Sequence, residues 1–100
     1  MGKYVEALQD FALLLAPFTI EDVLSALDRL RIAPILRGTR GEAPLDLLSF
    51  AEMAVRVGEI LMATKDRIVS IDLNPVMVLA KTPHETQTAF AADGLIELNR

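Results

Sequence analysis

The feature that most narrows the possible folds is the stretch SIDLNPVMVLA, Ser70 to Ala80. Runs of Ile, Leu, Val and Met on either side read as a buried strand, yet Asp72, Asn74 and Pro75 stand in the middle. All three residue types are depleted in strands, and a proline cannot donate to a ladder. Side chains alternate faces along a strand. Val69, Ile71 and Leu73 are then expected to face a core, and Ser70, Asp72 and Asn74 to line the opposite face with oxygen atoms.

The rest of the chain supplies what such a strand packs against. In PFTIEDVLSALDRLR, Ile20, Val23, Leu24, Leu27 and Leu30 recur at helical spacing and form one stripe. Thr19 is the expected N-cap, Glu21 and Asp22 suit the first turn, Arg29 and Arg31 lie near the C-terminal end, and Pro34 is expected to stop the helix. APILRGTRGEAP reads as a loop, too rich in Gly and Pro to continue it. LDLLSFAEMAVRVGEILMATKD is a second, longer helix with Asp46 as candidate N-cap. Leu47, Phe50, Ala54, Val57 and Leu61 share a face that Leu48, Ala51, Val55 and Met62 widen. Gly58, which costs about 1 kcal/mol relative to alanine inside a helix, marks a close helix–sheet contact. Met53, Met62 and Met77 are expected in the core.

RIVSIDLNPVMVLA and TAFAADGLIELN flank the polar loop KTPHETQ and read as the strands of a hairpin. A further short strand is expected around Phe11–Leu15. Strand, helix, helix, strand, strand gives an α+β fold, two helices on a small mixed or antiparallel sheet.

Composition excludes several functions. A net charge of −4, a pI near 4.8, scattered Lys and Arg and few aromatics argue against nucleic acid. The absence of cysteine removes disulfides, thiol catalysis and cysteine-bound zinc. FALLLAPF is too short for a membrane span, Glu6 and Asp10 precede it where a signal peptide would be basic, and Glu6 also spoils a myristoylation site. The expectation is a cytoplasmic protein without membrane contact.

Asp93 follows in ADG, and pairing of the two hairpin segments would bring it beside Asn74 or Asp72. An amide oxygen and carboxylates suit Mg²⁺, which takes few protein ligands and leaves positions for phosphate and water. The residues alone leave this reading open beside a blander one, a solvated face with Asp93-Gly94 as a turn, and they favour the blander.

Three motifs in order resemble the C-terminal part of the ATP-grasp domain of NDP-forming acyl-CoA synthetases: PILRGTRG at Pro34–Gly41, DLLSFAE at Asp46–Glu52 and DLNP at Asp72–Pro75. AADGLIEL resembles the family's closing strand, and GKYVEALQDFALLLAP the segment after its glycine-rich strand. The resemblance implies an enzyme interconverting acyl-CoA, ADP and phosphate with acid, CoA and ATP through a phosphohistidine carried by a CoA-binding domain or subunit. It implies Asn74 and Asp93 as Mg²⁺ ligands on the nucleotide, with Asp72 in support. Arg37 and Arg40 would meet phosphate or a partner domain, Gly38 and Gly41 would allow close backbone approach, and Glu6 would face the nucleotide.

No catalytic residue is expected in this chain. The family's phosphate-binding lysines and adenine pocket lie in sequence upstream of the matching part, and His84, in a polar loop, is expected to be solvated. The chain is therefore expected to be a single partial domain over residues 1–100, inactive alone, with a homo-oligomer open. Gln9 and Leu14 replace a lysine and an arginine of the family pattern, which keeps a second reading: a diverged, non-catalytic module that docks to a partner. A stand-alone metal-dependent hydrolase is disfavoured, since no nucleophile has an activating base.

Overall fold

A computed structural model describes residues 10–38 and 41–99. Helix α1 is Ile20–Asp28, α2 is Ala33–Leu36 and α3 is Leu47–Ala63. Four strands follow: β1 Ile68–Leu73, β2 Val76–Val78, β3 Ala89–Ala91 and β4 Gly94–Leu98. The α+β expectation holds.

α1 starts on a capping box. The Asp22 N–H donates to Thr19 Oγ1 at 3.1 Å, and the Thr19 N–H donates to Asp22 Oδ2 at 2.9 Å. Two of the helix's unpaired N-terminal donors are satisfied at once. The helix closes at Asp28, short of Arg31. Pro34 does not end it but opens α2, the short helix inside the expected loop, where a missing N–H costs nothing. The Asp10 carboxylate bonds the donors ahead of that helix, accepting from Arg31 N–H at 2.7 Å and Ile32 N–H at 3.1 Å.

The helix core is built from small side chains. Val23, Ala26, Ala33 and Ala51 are the buried apolar residues among those described. α1 packs on α3, and α3 packs on β1 and β3. Ala51 is completely buried on the face that the periodicity marks, whereas Leu48 and Met62 are exposed at its edges, as is Met77. Those two methionines are therefore surface residues and Met53 alone of the three is half-buried. The close approach at Gly58 is to the segment before α1: a Cβ there would lie 3.1 Å from Phe18 Cζ and 3.8 Å from Ala16 Cβ.

β1 pairs antiparallel with β4, and β2 with β3, as two short ladders. The register shifts between Ile68 and Ser70, so Val69 bulges out of the pairing. This overturns one inward position: Val69 is 57% exposed, while Ile68, Ile71 and Leu73 are half-buried. A single extra residue moves every position before it to the other face.

Phe11–Leu15 forms no strand. Phe11, Leu13 and Leu15 are 70%, 83% and 91% exposed, while Leu14 lines an apolar groove with Phe18, Phe50, Val57, Ile71 and Leu73. A short apolar run makes a strand only where its backbone pairs with a neighbouring strand.

Candidate metal and nucleotide site

The seam between the two ladders falls at Asn74-Pro75. Pro75 has no N–H to give, so regular pairing stops there, yet the chains stay in step. The Asn74 N–H donates to the Asp93 carbonyl at 3.1 Å, and the Ala92 N–H donates to the Pro75 carbonyl at 2.9 Å. The apolar, polar, apolar order of Ile71, Asp72 and Leu73 turns Asp72 outward, directly opposite Leu95.

Asp72, Asn74 and Asp93 therefore line one shallow concavity, closed by Gly94 and Leu95. Asp93 sits in the link before β4 rather than within the strand. Its Oδ1 accepts from the Gly94 N–H at 2.8 Å, which fixes the carboxylate's direction, and Oδ2 has no hydrogen bond among the described residues. A side chain on Gly94 would press on Leu73, with Cβ 3.1 Å from Leu73 Cδ2. Glycine here lets β4 close against β1 beside the acids. On the same outer face, Ser70 Oγ donates to Glu97 Oε1 at 3.1 Å.

The donors are all oxygens: one amide and two carboxylates. Among the described residues no group of three or more His, Cys, Asp or Glu could enclose an ion. An open set of few oxygens suits a hard cation that keeps water or phosphate on its remaining positions, and does not suit a closed zinc or iron centre.

The glycine loop is a different kind of structure. The Arg37 guanidinium pairs with the Asp28 carboxylate at the end of α1. Gly38 has φ 86°, and a Cβ there would collide with the Glu42 carbonyl oxygen and lie 3.0 Å from Pro44 N. Gly41 has φ 81° and faces open space. None of Arg37, Gly38 and Gly41 lines the concavity. Glu6, Gln9 and Arg40 lie outside the described residues. His84 is exposed in its loop.

Sequence reading missed the partners of Asp46. The residue caps α3 as expected, accepting from the Ser49 N–H at 3.1 Å and Ser49 Oγ at 2.8 Å, but it also accepts from Thr88 Oγ1 at 2.7 Å. The bonds from Thr88 and Ser49 hold its carboxyl below the usual carboxylate range. Thr88, polar yet buried, carries no local signal of this contact, 42 positions away.

Among the described residues no helix is long and apolar enough to cross a membrane. A family model for the ATP-grasp domain matches residues 1–98. The β subunit of ADP-forming acetate–CoA ligase I from Pyrococcus furiosus is 39% identical over 75 residues, which cover 75% of this chain and 32% of the subunit. The ADP-forming 4-hydroxybutyrate–CoA ligase of Nitrosopumilus maritimus is 34% identical over 80 residues, covering 80% of this chain and 11% of the ligase. The chain thus spans about a third of the Pyrococcus subunit and a ninth of the longer ligase.

Solved structures agree. PH1788 from Pyrococcus horikoshii superposes with a TM-score of 0.82 at 31% identity, over 99% of this chain and 40% of that one. The dinucleotide-forming acetyl-coenzyme A synthetase 1 of Ca. Korarchaeum cryptofilum, in complex with coenzyme A, acetyl-coenzyme A and a phosphorylated phosphohistidine segment, superposes with a TM-score of 0.79 at 27% identity, over 95% of this chain and 39% of that one. The concavity and its flanking ladders therefore belong to a known scaffold: the chain is a member of the ATP-grasp domain family and is similar to the β subunits of ADP-forming acyl-CoA ligases.

Proposed function

We propose that this chain is the Mg²⁺-nucleotide-binding lobe of an ADP-forming acyl-CoA synthetase, a cytoplasmic enzyme that interconverts acyl-CoA, ADP and phosphate with acid, CoA and ATP. The observation that carries this reading is the meeting of Asp72, Asn74 and Asp93 in one concavity, with Asn74 bonded to Asp93 across the seam. Asn74 offers its amide oxygen and Asp93 its Oδ2 as ligands, while Asp72 supports them. When bound, the cation would neutralise charge on the nucleotide's phosphates. The chain's own task is to hold these oxygens rigidly at the rim of the sheet, where they orient the phosphate tail. The acyl and CoA chemistry, the phosphohistidine and the adenine pocket belong to other parts of the enzyme, and the lobe alone is inactive.

The test is phosphoryl transfer to ADP in the complete native protein. Asn74→Ala and Asp93→Ala should each reduce it by more than about 100-fold, since even the outer partners of a metal cost 10–100-fold when removed. Near-normal transfer in both variants would remove these residues from the site. A protein without phosphoryl transfer, whose melting temperature does not rise with Mg²⁺ and nucleotide, would instead be a docking module of ATP-grasp descent.

A further inference from the structure

The concavity lies where two weak ladders meet, and its geometry depends on their staying in register. One register runs from the Leu79–Thr88 bond through Val76–Ala91 and Asn74–Asp93 to Ser70–Glu97. Little within the strands enforces it. β2 and β3 contribute three residues each, and a two-stranded ribbon is marginal by itself. A tight turn would fix the pairing, but the link from Leu79 to Thr88 is a long one. At the other end every residue of β4 is exposed and β1 already carries a bulge.

A residue from outside the hairpin grips both strands at the loop end. The Asp46 N–H donates to the Leu79 carbonyl at 2.9 Å, and the Asp46 carboxylate accepts from Thr88 Oγ1 at 2.7 Å. The Leu79 N–H donates to the Thr88 carbonyl at 2.7 Å and closes the triangle. Leu45 adds a bridge to Ala80. Thr88 is the one buried polar residue among those described, so a slipped strand would leave its hydroxyl unpaired and bring Ala89 or Gln87 to its place. Asp46 itself is anchored, because it caps the rigid helix α3.

We propose that Asp46 is a positioning residue: through Leu79 and Thr88 it sets the register of β2 and β3, and so aligns Asn74 with Asp93. It takes the place of the tight turn that the hairpin lacks. A slip by one residue would turn Asp93 to the other face. The functional consequence rests on the cation-site reading, whereas the register itself does not.

The test uses the complete native protein, with Mn²⁺ as a paramagnetic probe of the cation site and amide hydrogen exchange at Asn74 as a probe of register. Thr88→Val removes the hydroxyl and keeps the shape. It should weaken Mn²⁺ binding by about tenfold or more, as loss of outer support does at metal sites, and speed exchange at Asn74. Thr88→Ser should restore both. Ser49→Ala, which trims the same carboxylate's bonds within the helix, should change neither. Wild-type Mn²⁺ affinity and Asn74 protection in Thr88→Val, with only a lower melting temperature, would overturn the proposal. If the wild-type protein fails to bind Mn²⁺, the cation-site reading falls, and exchange at Asn74 alone decides whether Asp46 sets the register.

Discussion

The glycine loop after α2 and the seam at Asn74 both carry family motifs, yet they are built for different work. In the loop, Gly38 adopts a left-handed conformation with backbone against the place a Cβ would fill, and Arg37 is tied to Asp28. In the seam, the polar side chains lack such ties among the described residues: Asp72, Asn74 and Asp93 are exposed, and of their side-chain oxygens one of Asp93 is engaged. Groups that shape the chain spend their bonding capacity on the chain. The groups proposed to meet a ligand leave it open, and they depend on others for position.

That contrast can be broken by stability measurements. Gly38→Val should have the largest effect, a loss of at least about 2 kcal/mol in denaturant unfolding, because left-handed backbone strain and a backbone collision add. Unchanged stability would mean the loop has another conformation. Asp46→Ala should come next, at about 1 kcal/mol, for the lost helix cap.

Asp46 also sets a pH dependence with a definite sign. Its folded pKa lies below its unfolded value, so its contribution is complete above the ordinary carboxylate pKa of about 3.9. The contribution fades as pH falls through the lowered folded value. Melting temperatures followed from pH 6 down to about pH 3 should therefore fall less steeply in Asp46→Asn than in the wild type. Parallel curves would show that the carboxylate's bonds to Thr88 and Ser49 carry no linkage.

Arg37→Ala removes a half-exposed ion pair and should cost less than about 1 kcal/mol, without loss of Mn²⁺ binding at the seam. A loss of Mn²⁺ or nucleotide affinity would return the loop arginine to the phosphate role that the family pattern suggests. Asn74→Ala should have the smallest effect on unfolding, within about 0.5 kcal/mol of wild type, although it is expected to abolish cation binding. Strong destabilisation by Asn74→Ala would give the amide a structural task and erase the distinction between the two regions.

What local chemistry governs was legible in the sequence. Thr19 with Asp22 announced the start of α1, and Asp46 the start of α3, because a cap and its donors lie within one helical turn. The alternation of Ile71, Asp72 and Leu73 placed the acid outward, and the two apolar segments did pair antiparallel. That Asp72, Asn74 and Asp93 come together was legible, because hairpin pairing juxtaposes them without knowledge of the rest of the fold.

Tertiary structure decided what depends on a distant neighbour. Pro34 could stop one helix or open another, and only the Asp10 carboxylate over the following turn shows which element is supported there. Phe11–Leu15 read as a strand but pairs with neither ladder. Val69 lost its inward place to a bulge that exists only in relation to β4. Gly58 found Phe18, and Asp46 found Thr88. The physical reason is common to all of these. Propensities and caps act over a few residues and are written in order along the chain, whereas register and close packing are set by groups that meet only once the chain has folded.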